Sequence, residues 1–194
     1  MGFSPSDKHQ TTSSIFSNIV DATSGSFTTS LTVSGTAVDI SGGGNSVEYA
    51  LLRDEKSNGT NGGTFTAGAR RTRVLNTKVV DEIGITLSSN QFTLPAGTYI
   101  VRGHAPALQG GRHKAWLRNI TDSSDTIIGT ADDNTQCFAN SSTSFLRGKF
   151  TLVATKTFEI QHQMLGTRNN TGFGAASSFG DNEVYTTIEI TKII

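Results

Sequence analysis

The sequence has little that could cross-link or stiffen the chain, since its 194 residues include one cysteine and three prolines. Cys137 has no partner for an intrachain disulfide, so burial and backbone pairing must hold the fold. Charge is also sparse at 16% of residues, and 16 basic residues balance 16 acidic ones. Such a chain has no long-range field to attract a polyanion, which argues against nucleic acid as a partner.

Long apolar runs are absent as well. No stretch of about 18 consecutive apolar residues occurs, and the first residues lack the basic start and apolar middle of a signal peptide. We therefore expect a soluble protein that is made without a secretion signal and has no membrane partner.

Short alternating segments are abundant instead. From Val47 to the last residue, apolar and polar residues alternate between turns rich in glycine, of which the chain has 21, and in serine, threonine and asparagine. Roughly eight to ten short strands with no helix between them predict an all-β fold, an antiparallel jelly-roll sandwich. We expect this head domain to cover residues 46–194.

The head is organised around a corner at residues 92–106. Phe92 and Leu94 alternate with polar residues, Pro95 and Gly97 supply a turn, and Tyr99 resumes the alternation. Because proline fixes φ and glycine tolerates positive φ, the chain can reverse or change sheets there. The closing segment 184–194 alternates and ends in two apolar residues, which predicts a central strand or one at a subunit interface.

Residues 1–45 form a predicted N-terminal arm that differs from the head. Alternation in residues 26–40 is interrupted at Gly35, and the Gly-rich stretch 41–45 reads as a hinge. An isolated strand cannot bury its apolar face, so the arm must lie on the head, on a neighbouring copy or on another protein. The residues predicted to anchor it are Phe27, Leu31, Val33, Val38 and Ile40.

Two resemblances follow from these segments. The corner residues Phe92, Pro95, Gly97 and Tyr99 resemble the Phe-x-x-Pro-x-x-Gly-x-Tyr hallmark of the trimeric jelly-roll heads of complement-type and tumour-necrosis-factor-like proteins, with one residue fewer before the glycine. The stretch SFTTSLTVSGTAV at residues 26–38, followed by a hinge and such a head, resembles fibre and decoration proteins of tailed bacteriophages. The chain has no collagen-like or coiled-coil shaft, which favours a short spike, a head fibre or a capsid-bound knob.

The resemblance implies a homotrimer, which would also remove exposed strand edges. Two roles are open for the apolar and aromatic residues of the later strands: contact about a threefold axis, or the core of the single chain. The candidate interface residues are Tyr99, Phe150, Leu152, Tyr185 and Ile188.

Candidate receptor contacts come from a basic cluster and from three aromatic residues. Alternation places Arg71 and Arg73 on one face of the strand and Arg70 on the other. This basic cluster could bind an acidic sugar, or it could form a charged outer sheet face. Trp116, Phe173 and Phe179 could stack on a sugar or fold back onto the sandwich.

Catalytic, cofactor and metal sites are not predicted. The four histidines lack ligand spacing, and the acidic clusters 132–134 and 181–183 read as solvated loops rather than calcium loops. A glycan-cleaving enzyme would need paired carboxylates, whereas Glu48 and Glu159 are isolated. We therefore expect a non-enzymatic virion protein with other virion proteins and a host-surface glycan as partners. As a fibre knob it would attach to the host; the alternative is a capsid decoration or head-fibre protein that stabilises the shell.

Overall fold

The computed structural model describes residues 30–33, 36–39, 46–134 and 140–194. The chain divides into two units, Met1–Gly44 and Asn45–Ile194. In the first unit the strands β1 (Ser30–Val33) and β2 (Thr36–Asp39) pair antiparallel. The chain thus reverses direction between Val33 and Thr36, where a continuation of one strand was expected. Phe27 and Ile40 lie outside the described residues, and the anchoring role of the arm stays a prediction.

The second unit is all β, and the described part of the chain contains no helix. It therefore also holds no helix long and apolar enough to span a membrane. Its strands are β3 (Val47–Lys56), β4 (Arg71–Thr72), β5 (Thr77–Asp81), β6 (Leu87–Ser88), β7 (Gln91–Leu94), β8 (Gly97–Leu108), β9 (Arg112–Asn119), β10 (Ser124–Ile128), β11 (Asp132–Asp133), β12 (Ser141–Leu152), β13 (Lys156–Met164) and β14 (Glu183–Ile193).

The strands form two antiparallel sheets. The five-stranded sheet has the order β12-β8-β14-β3-β5, and the seven-stranded sheet runs β10-β9-β13-β7-β6, with β11 paired to β9 and β4 paired to β13. The last strand β14 therefore lies at the centre of its sheet, as its apolar sequence predicted. Several sequential strands lie in different sheets, among them β7 and β8, β8 and β9, and β12 and β13, which is typical of a jelly roll.

The predicted corner carries the chain from one sheet to the other. β7 belongs to the seven-stranded sheet and β8 to the five-stranded one. Gly97 has φ of 155°, and the Tyr99 hydroxyl donates a 2.8 Å hydrogen bond back to the Pro95 carbonyl. Glycine tolerates this extended positive φ, and the hydrogen bond fixes the turn. The sequence signal for this corner is thus a property of the chain's path between sheets.

The core lies between the sheets and follows the alternation of each strand. Buried side chains from both sheets meet there, among them Leu52, Phe92, Leu94, Tyr99, Val101, Leu117, Leu146, Phe158, Ile160, Ile188 and Ile190. A smaller apolar cluster of Phe65, Ala107 and Met164, with Phe173 packed against it, occupies a separate position. Because alternate residues point inward, the outward residues of the same strands are free to form surfaces.

Candidate functional site

An open groove lies on the outer surface of the seven-stranded sheet. Along β9, His113, Ala115 and Leu117 are buried, so the alternate residues Arg112, Lys114 and Trp116 face outward. The groove has a volume of ≈ 790 Å³. Its wall includes Arg112, Lys114 and Trp116 of β9, Asp132 of β11, and Gln163 and Leu165 at the end of β13. We call it the Trp116 groove.

Arg70 supports the indole at one end of the groove. Its guanidinium carbon lies 3.9 Å from the centroid of a Trp116 ring, a face-on contact. Asp125 accepts bonds of 2.8 to 3.0 Å from both Arg70 amino groups and a 3.1 Å bond from Arg118. These bonds, above all those from Arg70, lower the pKa of the Asp125 carboxyl. The network fixes the orientation of the Trp116 ring.

Strand register places Trp116 between two sets of contacts along β9. Asp125, which accepts hydrogen bonds from Arg70, is paired with Arg118, two residues beyond Trp116. The groove residue Gln163 is paired with Lys114, two residues before it. Trp116 therefore contacts Arg70 through one ring face and also lines the groove.

Donors and acceptors line the rest of the groove. Among the described residues, Arg112 and Lys114 form no ion pair and no side-chain hydrogen bond. The Asp132 carboxylate accepts bonds from the backbone N–H groups of Asp133 (2.8 Å) and Thr143 (3.2 Å), which ties β11 to β12. Leu165 adds an exposed apolar surface. The groove therefore combines an aromatic face, two available cations and oriented oxygen acceptors.

A buried polar relay lies beneath the groove. His113 Nδ1 is 2.9 Å from His162 Nε2, and His113 Nε2 is 2.7 Å from Ser142 Oγ. The second nitrogen of His162 has no hydrogen-bond partner, and its ring meets Phe65 edge-on at 4.9 Å. Burial lowers the pKa of both histidines, and for His162 the charge of Arg73 adds to the effect. Both rings are therefore neutral at pH 7.

The predicted receptor contact Arg73 is wrong, because its side chain is 0% exposed. Its Nε donates to Thr186 Oγ1 at 2.6 Å, while Nη1 and Nη2 donate to the carbonyls of Pro106 and Phe173, each at 3.1 Å. Burial lowers the pKa of Arg73 to about 9, an effect that the Asp54 carboxylate opposes. The guanidinium is thus charged at neutral pH and joins the strands β14 and β8 to the 166–180 loop.

The other candidate contacts are scattered. Arg71 is half-buried, and its Nε donates to the Thr66 carbonyl at 3.0 Å. Phe173 packs on Phe65, with ring centroids 4.5 Å apart, whereas Phe179 is 89% exposed. Of the five predicted contacts only Trp116 lines the groove. The alternation of residues 112, 114 and 116 was the signal that could have found its two cations.

The predicted interface residues divide into two groups. Tyr99, Tyr185 and Ile188 are 0%, 5% and 0% exposed within the single chain, so they are core residues and their predicted interface role is wrong. Phe150 and Leu152 are half-buried and pack against the core, and their contact with another copy stays a prediction.

An exposed apolar surface lies elsewhere on the five-stranded sheet. Tyr49 and Ile100 share one row through Thr191, and Leu51 is paired with Val80 in the next row. All four side chains point away from the core and are at least partly exposed. We call Tyr49, Leu51, Val80 and Ile100 the exterior apolar patch. It follows from the alternation of β3 and β8, which the choice of interface residues overlooked.

The described ranges contain no group of three or more histidine, cysteine, aspartate or glutamate side chains that could hold a metal ion.

Glu183, in the acidic cluster 181–183, binds backbone groups of its neighbours. Its carboxylate accepts backbone N–H bonds from Gly59, Ser177 and Ser178 at 2.8 to 3.1 Å, and these lower its pKa to about 2. Glu183 therefore joins two loops.

Comparison with solved structures identifies the fold. Eiger TNF from S. frugiperda matches with a TM-score of 0.52 at 13% identity, over 76% of this chain and 93% of that one. The fold is a TNF-like jelly roll. Murine APRIL at pH 5.0 (TM-score 0.48, 8% identity, 76% and 100% of the chains) and the globular domain of zebrafish complement 1qA protein (0.44, 15%, 76% and 96%) also match.

Sequence comparison gives no relative: no family model matches the chain, and neither does any curated protein. The likeness between this jelly roll and its structural neighbours therefore concerns the fold alone.

Proposed function

We infer that the chain is a non-enzymatic virion protein of a tailed phage, a homotrimeric knob that attaches the particle to the host surface. The Trp116 groove is the observation that carries this proposal, because it offers an oriented aromatic face beside two cations without internal partners. The N-terminal arm anchors the knob to the particle. Three copies acting together multiply weak contacts by avidity.

Direct binding to cells tests the attachment role. Fluorescently labelled full-length protein is incubated with a panel of bacterial strains, and bound fluorescence is measured by flow cytometry. At least one strain should bind the wild type, and Trp116→Ala should reduce that binding at least about tenfold while leaving the circular dichroism spectrum unchanged. A folded protein that binds none of the strains in a broad panel contradicts the proposal.

The exterior apolar patch supports the trimer. An aromatic and aliphatic surface of this kind loses water-exposed area when copies associate, and a charge placed within it would be desolvated. Ile100→Asp is therefore expected to convert the trimer to a monomer at micromolar concentration, as measured by light scattering after gel filtration. Ile100 is 37% exposed, so the single chain should still fold.

Ile128→Asp is the matched control, since Ile128 is 64% exposed on the seven-stranded sheet beside Trp116. It should leave the oligomeric state unchanged. A wild-type monomer, or equal effects of the two substitutions, would contradict association through this patch.

Removal of the arm separates attachment from capsid decoration. A chain lacking residues 1–44 keeps the whole sandwich, whose core lies in the second unit. We expect it to lose binding to phage particles at least tenfold in a sedimentation assay and to keep its binding to cells. If the shortened chain loses particle binding and neither the full-length nor the shortened chain binds cells, the result would indicate a capsid decoration or head-fibre protein instead.

A further inference from the structure

We propose that the Trp116 groove binds a carboxylate-bearing saccharide, such as a uronic-acid unit of a surface polysaccharide. This inference rests on the proposed attachment role and names its ligand class. The sugar ring stacks on the groove-facing side of Trp116, and its carboxylate lies against Lys114 and Arg112. The residues that line the groove support each part of this assignment.

The indole provides the stacking surface. Sugars present an apolar face of C–H groups, and an aromatic ring binds that face best when its orientation is fixed before binding. Arg70 covers one face of Trp116 at 3.9 Å and is itself held by Asp125 and Gln161. These contacts fix the ring before a ligand binds.

Spacing along β9 sets the position of the carboxylate. Residues two apart on a strand lie on the same face and roughly 6.8 Å apart. Lys114 is therefore one such step from Trp116, and Arg112 lies a second step away. One step is comparable to the width of a pyranose ring, so a carboxylate on the stacked sugar reaches Lys114, and Arg112 can bind the same group or that of the next unit.

The two cations favour a carboxylate because neither forms an ion pair with a described residue, although Asp133, which pairs with Arg112 across the strands, lines the same groove. Arg112 offers the planar fork that pairs with a carboxylate through two hydrogen bonds, and Lys114 adds a point charge. Their positive charges would otherwise remain solvated at the wall of a concave site. A ligand with one negative charge per sugar uses both.

Asp132 directs the selection toward a hydroxyl-rich ligand rather than a polyphosphate. Each of its carboxylate oxygens accepts one backbone N–H bond and retains a lone pair for a further donor. Sugar hydroxyls can supply that donor, whereas a dense polyanion such as nucleic acid would be repelled. Cations on β9 and a carboxylate acceptor on the neighbouring strand β11 therefore match a saccharide with a single acidic group.

A paired glycan array tests the ligand class. Bacterial surface polysaccharides that contain uronic or other carboxylate sugars are printed beside their carboxyl-reduced forms, in which the carboxylate becomes a neutral alcohol. Full-length wild-type protein should bind at least one acidic glycan, and carboxyl reduction should weaken that binding at least tenfold. Trp116→Ala and the double variant Arg112→Ala/Lys114→Ala should each cause a similar loss.

The double variant Arg112→Lys/Lys114→Arg is the matched control, because it keeps both charges and should retain binding within about threefold. Equal binding before and after carboxyl reduction, binding to neutral glycans alone, or full binding by the double alanine variant would overturn the inference. If no printed glycan binds while the protein still adheres to cells through Trp116, the ligand class is wrong and the attachment role stands. Failure to adhere to any cell removes the attachment role itself.

Discussion

Replacement of Arg73 with alanine is expected to lower the free energy of unfolding by about 3–5 kcal/mol, the range seen when one partner of a buried charged network is removed. The guanidinium donates to Thr186 and to the backbone carbonyls of Pro106 in β8 and Phe173 in the 166–180 loop, and alanine leaves these acceptors buried without donors. Asp54, which is 1% exposed, would also lose a nearby positive charge. Urea denaturation of wild type and variant measures the difference.

Arg71→Ala is the matched control for this prediction. Arg71 is an arginine two residues earlier that is half-exposed and donates to the carbonyls of Thr66 and Ala67. Its loss should cost about 1 kcal/mol or less, because water can replace it. Arg73→Lys should restore only part of the stability, since one ammonium cannot span three separated acceptors. Equal losses for the two alanine variants would show that burial of Arg73 contributes nothing.

Arg73 also marks where sequence reasoning reached its limit. Alternation correctly placed it on the face opposite Thr72, whose hydroxyl contacts Glu159 on the outer sheet surface. The pattern does not state which face is interior, and a charged residue was assumed to face water. Only the position of β8 at Pro106 and the return of the loop at Phe173 supply the carbonyls that make burial of this charge tolerable.

The fold was predictable because local signals and global topology agree. The corner residues Pro95 and Gly97 sit where the chain changes sheets, and the apolar closing segment forms the central strand β14. The sequence predicted one strand interrupted at Gly35 and missed the pairing of β1 with β2. A strand broken by glycine and a tight hairpin have the same alternation of apolar and polar residues.

The candidate site was only partly predictable. Trp116 could be singled out as an aromatic residue on an outward strand face, and Lys114 shares its periodicity. Asp132 and Gln163 reach the groove from other strands, through pairings of β9 with β11 and β13. Such pairings depend on sheet order, which residue periodicity does not determine. Similarly, Tyr99 and Ile188 alternate correctly, but their pattern cannot distinguish a core from an interface.

Acidification is expected to destabilise the protein between pH 7 and pH 5 through the buried histidines. Burial lowers the pKa of His162 and of His113 in the folded state, whereas unfolded histidine titrates near 6.5. The unfolded chain therefore binds more protons than the folded one in this window, so stability is full above about pH 6.5 and falls with pH. Each histidine that stays neutral should cost up to about 1.4 kcal/mol per pH unit below 6.5.

The surroundings of the pair determine the size of the loss. Arg73 lowers the pKa of both histidines and His113 further lowers that of His162, while Asp132 and Asp133 raise the pKa of His113. His162 should therefore contribute more than His113. Asp54 affects stability in the opposite direction. Burial raises the pKa of its carboxyl, so the folded state takes up a proton more readily than the unfolded one and gains stability as the pH falls. The net loss is expected to be smaller than the sum over both histidines.

Urea denaturation at intervals from pH 7 to pH 5 measures this loss, with His162→Gln as the decisive variant. Glutamine keeps a polar group near His113 but does not titrate, so the dependence of unfolding free energy on pH should flatten by about half. His104→Gln is the control: burial lowers the pKa of His104 too, but its ring is half-exposed and bonds Thr187 at 2.9 Å, so the flattening should be smaller. A flat wild-type profile, or an unchanged slope in His162→Gln, would mean that the buried pair takes up its protons without opening the fold.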